Sequence, residues 1–142
     1  MRKKGIVNGK LMGALAGMGH TERIVITDAG LPIPKECDVI DLALVDGIPS
    51  FLDTVKAVLN EAIFEKVAIF APMQEANKPV FETLNSMLPN QEKKLLDGEA
   101  FIHEVSKAKI VIRTAEFSPC CNIILYSASG VKEICEPLDV SF

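Results

Sequence analysis

Apolar positions along this chain change period several times, and each change marks an element. Leu11, Ala14, Leu15 and Met18 recur at helical spacing behind Asn8, a residue type that caps helix amino termini well. Gly17 and Gly19 end that helix and leave His20 on a loop. Residues 23–27 read as a strand, because Ile24, Val25, Ile26 and Thr27 are β-branched and suit a buried pleated surface. Gly30, Pro32 and Pro34 stop that strand, which puts Asp28 at its carboxyl end. Residues 39–44 alternate around Asp41 and predict a second strand. Pro49 predicts the first turn of a helix running to about Ala62, with Phe51, Val55, Val58 and Leu59 on one face.

Residues 66–70 contain Val67-Ala68-Ile69-Phe70, a continuous apolar run of the buried-strand type. Residues 73–78 read as a polar loop. It leads into a helix carrying Val80, Phe81, Leu84 and Met87, which Pro89-Asn90 breaks. Residues 91–96 suggest a second short helical piece, and Phe101-Ile102 a short strand or a helix entry. Residues 109–113 and 122–126 read as the last two strands, and 131–135 as one helical turn. Strands alternating with helices predict a three-layer α/β fold, with helices flanking a mixed β-sheet. The sheet is expected to be mixed because the last two strands are only about eight residues apart, too few for a helical crossover. One domain over residues 1–142 is the expectation for this length.

Composition narrows the class. Hydrophobic residues make up 49% and charged residues 24%, a globular balance and not a disordered one. The net charge of −4, with no basic stripe, no Trp and a single Tyr, argues against nucleic acid as a partner. Arg2, Lys3 and Lys4 precede a mildly apolar stretch, as in a signal peptide. Gly5, Asn8, Gly9 and Lys10 interrupt it, and no small-x-small cleavage site follows. A retained first helix and a cytoplasmic location are expected. No run of about 18 apolar residues occurs, so no membrane span is expected.

Cys37, Cys120, Cys121 and Cys135 form no C-x-x-C pair and are expected to be reduced. A zinc site from Cys120, Cys121, Cys135 and His103 would fit no known ligand spacing, and thiols that simply pack are the plainer reading. No Walker loop or dinucleotide glycine pattern is present. Neither a metal nor a cofactor is expected.

Two residues stand out for chemistry. His20 is placed on a loop, where an imidazole can give and take a proton near neutral pH. Its plainer role would be to meet the carboxyl-terminal dipole of the preceding helix. Asp28 could accept hydrogen bonds from two hydroxyl groups of a ligand, or could serve only an Asx turn at Ala29-Gly30. Arg113 and Glu116 read as structural, either as an ion pair or at a site edge. Asp41 reads as buried with a partner.

The run Gly19-His20-Thr21 through Asp28-Ala29-Gly30-Leu31-Pro32-Ile33-Pro34 closely resembles the D-ribose pyranase and fucose mutarotase family. The likeness extends to Lys3-Lys4-Gly5-Ile6-Val7-Asn8, Ile40-Asp41-Leu42-Ala43-Leu44, Gly47-Ile48-Pro49-Ser50-Phe51 and Val111-Ile112-Arg113-Thr114-Ala115-Glu116-Phe117-Ser118-Pro119, and to Asn122-Ile123-Ile124-Leu125. The Asp28–Pro34 turn is more like the ribose branch than the fucose branch.

The resemblance implies a cofactor-free mutarotase that interconverts pyranose and furanose D-ribose through the open chain. Alternatives are anomer exchange of L-fucose or another sugar, or a non-catalytic sugar-binding accessory protein of sugar uptake. It implies His20 as the catalytic acid–base and Asp28, His103, Cys120, Cys121 and Asn122 as substrate-binding. Partners would be a monosaccharide and further copies of the chain. Those copies would form a ring-shaped homo-oligomer, with a decamer as candidate, and its sites would lie at subunit interfaces. His103 could instead pair with Glu104 or solvent, and Asn122 could cap its strand. Cys120 departs from the tyrosine usual in the family, and the tail runs past Gly130-Val131, where family chains usually stop. His20 and Asp28 are eight residues apart, roughly 26 Å if fully extended, far more than one sugar spans. Either the His20 loop folds back along the sheet, or the two residues serve one pocket from different subunits.

Overall fold

Four β-branched runs make the centre of the molecule: Arg23–Thr27 (β1), Phe64–Phe70 (β3), Ile110–Arg113 (β5) and Ile123–Ser127 (β6). The computed structural model describes residues 2–131 and 137–141. Two edge strands, Val39–Asp41 (β2) and Glu92–Leu96 (β4), complete a sheet of order β2-β5-β1-β6-β3-β4. β1 runs parallel to β5, β5 to β2, and β3 to β4, while β6 is antiparallel to both β1 and β3. The short β5–β6 connection forces that reversal. One rim of the sheet therefore gathers the carboxyl ends of five strands and the amino end of β6. The opposite rim holds the start of β1, the start of β3 and the end of β6.

The period of two along each strand splits the core. Ile24, Ile26, Val67, Ile69, Ile110, Ile112, Ile123 and Leu125 face one side. Leu11 and Leu15 of α1 (Gly9–Ala16), Val55, Val58 and Leu59 of α2 (Phe51–Leu59), and Leu84 and Met87 of α4 (Lys78–Met87) pack there. Val25, Ala68, Val111 and Ile124 face the other side, against Phe101 and Val105 of α5 (Gly98–Val105). Each fully buried aliphatic or aromatic side chain contributes roughly 1.5–3 kcal/mol. The mixed sheet between helical layers is the expected α/β architecture.

Several elements differ from the expectation. Residues 91–96 are not helical, since Glu92–Leu96 pairs in parallel with β3 from Lys66 to Phe70. Glu-Lys-Lys favours a helix locally, but the open edge of β3 supplies a ladder, and exposed charge suits an edge strand. Residues 73–76 form a helical turn, α3 (Met73–Ala76), with Met73 fully buried. Pro49 is not in the first turn of α2. It follows a cis peptide after Ile48, and Ser50 is the N-cap, its Oγ accepting from Asp53 N at 3.1 Å. β2 stops at Asp41, whose Oδ1 accepts from Ala43 N at 3.0 Å and turns the chain outward. Asp41 is exposed, not buried, and its partner is Arg113. Phe101 and Ile102 lie inside α5. The helical turn expected at 131–135 falls almost wholly outside the described residues.

Candidate active site

Where β1 ends, the backbone is stitched to the segment after β5. Thr114 donates to Thr27 O from both its N–H (3.0 Å) and its hydroxyl (2.7 Å), and Ala29 N donates to Glu116 O at 2.9 Å. These bonds hold the Asp28 turn open beside a cleft of about 600 Å³ on the carboxyl rim, lined by Asp28, Arg113, Glu116, Phe117, Cys120 and Asn122 among others. Ligands of open α/β sheets bind at such rims.

Asp28 and Asn122 form one unit. Asn122 is only 2% exposed. Its Oδ1 accepts from Asp28 N at 3.1 Å, and its Nδ2 donates to Asp28 Oδ2 at 3.0 Å. Asp28 Oδ1 accepts from Gly30 N at 3.0 Å, so the Asx turn is real. Each carboxylate oxygen keeps a further lone pair for a ligand. The Asn122 amide is engaged by Asp28 through both its polar atoms and so orients that residue, while its second N–H and second lone pair remain for a ligand.

Cys120 borders the cleft with a left-handed backbone, φ +64°. Burial and then the Asp28 charge push its thiol up, which keeps it protonated. Cys121 does not line the cleft. Its side chain is fully buried, 3.3 Å from Asn77 Nδ2 and 3.4 Å from Ser118 Oγ. Burial pushes that thiol up to about 11.

Glu116 and Arg113 do not pair with each other. Arg113 donates from Nη1 to both Asp41 carboxylate oxygens, at 3.2 and 3.0 Å, and from Nε to Ala29 O at 3.1 Å. Glu116 accepts from Ser118 Oγ (2.7 Å), Ser118 N (3.0 Å) and Phe51 N at the start of α2 (3.3 Å). Burial works against its charge, but these hydrogen bonds outweigh burial and hold the carboxyl below its ordinary value of 4.5. Both residues border the cleft, the site-edge alternative of the sequence reading, and the ion pair between them is absent. Their signal in the sequence was a position at the end of a core strand and just after it.

His103 sits in the last turn of α5. It borders a second, largely apolar hollow of about 580 Å³ that shares Leu31, Pro32 and Phe70 with the cleft. It does not pair with Glu104, which is held by Arg23, Lys107 and Tyr126. Glu104 and Arg23 flank Tyr126, whose hydroxyl is pushed up to about 12 by burial first and then by Glu104.

His20 lies on the opposite rim. Its loop is fixed by Thr21 N donating to Ser127 O at 2.9 Å and by Gly19 N donating to Glu22 Oε2 at 2.7 Å. Its Nε2 meets the Glu65 carboxylate at 3.1 and 3.2 Å. β1, with five residues, separates this loop from Asp28 by about 16 Å. The loop does not fold back, so one protomer does not bring His20 and Asp28 together. Glu65 was missed in the sequence, where nothing local marks it. Among the described residues, no helix is long and apolar enough to cross a membrane.

Comparison with known proteins adds kinship to this geometry. The profile of the RbsD / FucU transport protein family matches residues 1–131. D-ribose pyranase of Geobacillus thermodenitrificans is 42% identical over 127 residues, covering 89% of this chain and 96% of the relative. D-ribose pyranase of Actinobacillus pleuropneumoniae serotype 7 is 40% identical over 135 residues, covering 89% and 97%. The structure of Bacillus subtilis RbsD complexed with D-ribose superposes with a TM-score of 0.86 at 41% identity, over 90% of this chain and 98% of the other. A fucose mutarotase in complex with L-fucose from Streptococcus pneumoniae shares the fold, with a TM-score of 0.74 at 20% identity over 86% and 93% of the two chains.

Proposed function

This chain belongs to the RbsD / FucU transport protein family, and from that premise we propose that it is a mutarotase interconverting the pyranose and furanose forms of D-ribose. The observation that carries this reading is its 41% identity, over nearly the whole of the other chain, to a structure holding D-ribose. The cleft supports it, with a carboxylate on one wall and hydrogen-bonding capacity to spare.

Ring opening needs only proton movement. The ring oxygen gains a proton as its bond to the anomeric carbon breaks, the anomeric hydroxyl loses one to solvent, and an aldehyde forms. A different hydroxyl then attacks that aldehyde, and the ring of the other size closes. We assign the first proton to His20, by general acid catalysis. Asp28 accepts from sugar hydroxyls and fixes the ring. Asn122 orients Asp28, Cys120 contacts the sugar from the wall, and His103 reaches it from the adjoining hollow. This sequence of steps consumes no cofactor.

Because His20 and Asp28 occupy opposite rims, the reading requires His20 of one subunit beside Asp28 of the next. An interface joining two different surfaces is head-to-tail, and head-to-tail contacts that close give rings. The rim near the cleft exposes Leu44 (77%), Ile48 (56%) and Phe117 (69%), apolar area of the kind that subunits cover. A ring-shaped homo-oligomer is therefore proposed, with a decamer as the size to test against the 15.4 kDa chain mass. Cys37, Cys120 and Cys121 are free thiols, which suits the cytoplasm.

Cys120 favours a second reading, a sugar-binding accessory protein without catalysis, since a thiol offers a sugar little stacking. Saturation-transfer NMR on D-ribose separates the two. The mutarotase speeds exchange between ring forms, and His20→Ala abolishes that exchange while binding persists. Binding without faster exchange by the native chain would leave the accessory reading. Parallel runs with L-fucose test the sugar preference.

A further inference from the structure

Resting on the assignment of His20 as proton donor, we infer that Glu65 is its positioning residue, holding hydrogen on Nε2 and leaving Nδ1 to face the sugar. Both Glu65 oxygens lie within hydrogen-bond distance of Nε2, at 3.1 and 3.2 Å. An ionised carboxylate only accepts, so the nitrogen it meets carries the hydrogen. The other nitrogen is then the one that loses and regains its proton.

The backbone is built to make this contact. β3 and β6 run antiparallel, with Phe64 opposite Ser127 and Lys66 opposite Tyr126. Glu65 is thus an extra residue with no partner across the ladder, a β-bulge. Bulges re-aim a side chain and recur beside active sites. The His20 loop hangs from the same point, because Ser127 O accepts from Thr21 N at 2.9 Å and Ser127 N donates to Glu22 O at 2.8 Å. Thr21 adopts φ +66°, an uncommon conformation for a β-branched residue. The bulge and the strained loop are pinned to one residue, Ser127, and face each other across it. An ion pair this exposed adds little stability. Its geometry serves orientation instead.

The experiment uses the full-length chain with nitrogen-15 in its histidines. In the native protein, the His20 ring signals report hydrogen on Nε2. Glu65→Ala gives a mixture of the two neutral ring forms, lowers kcat about tenfold to a hundredfold within the range of general acid–base effects, and leaves KM within about twofold. Glu65→Gln keeps an acceptor, so it retains the native ring signature and falls between the two in kcat. Circular dichroism confirms folding of each variant. A Glu65→Ala protein with native ring signals and native kcat overturns the inference, while loss of exchange in His20→Ala keeps the parent reading standing. Full exchange in His20→Ala ends both.

Discussion

Asn122 shows how a single side chain can set the geometry of another. It is buried, and both ends of its amide serve Asp28. In Asn122→Ala the half-buried Asp28 N–H loses its partner. That costs about 1–3 kcal/mol, which urea denaturation will measure. The freed carboxylate will also bind D-ribose more weakly, read as a rise in Kd by NMR titration. Glu116 makes a second case with a defined pH window. Its carboxyl is held below 4.5 in the folded state, so its contribution to stability is fully present above that value and is lost as pH falls through the lower folded value. The stability gap between the native chain and Glu116→Gln should be constant above about pH 5.5 and shrink as pH falls from there through the folded value, followed by denaturant midpoints. A gap that widens on acidification would contradict the hydrogen-bonding account.

At the scale of elements, α2 links the cap to the cleft. Ser50 caps its amino terminus, and the next residue, Phe51, donates to Glu116. Ser50→Ala should cost about 1 kcal/mol, as N-cap losses do, and loosen the wall formed by Glu116 and Ser118. Thermal or urea unfolding checks the first effect, and ribose affinity the second. The same scale shows what the sequence could reveal. β1, β3, β5 and β6 were readable because runs of Ile and Val leave little choice but a buried strand. The reversal of β6 was readable from the length of one connection. β4 was not, because Glu92, Lys93 and Lys94 carry no strand signal of their own and pair only because β3 offers an edge. Asp28 was readable at the end of its strand. The burial of the Cys121 thiol and the pairing of Asn122 with Asp28 were not, since both depend on partners brought from distant segments. Glu65 was hidden for a similar reason: a bulge is a relation between two strands and leaves no local trace.

The whole molecule poses the sharpest test. His20 and Asp28 belong to opposite rims of one sheet, so the proposed site would draw on two copies. His20→Ala and Asp28→Ala should each be inactive alone. Mixed, after dissociation and reassembly, they should recover about a quarter of native activity, because random pairing gives that share of intact sites. Analytical ultracentrifugation should show a single assembly size for the native chain. No recovery on mixing, with both variants properly assembled, would mean that each site is made by one chain.

The placement of His20 and Asp28 beyond opposite ends of a five-residue strand has a further consequence. On the proposed shared site, a chain freshly made would be inert until it meets its neighbours, and catalysis would carry a built-in threshold. Dilution below the point where contacts break should silence the protein with every fold intact, and crowding should wake it again.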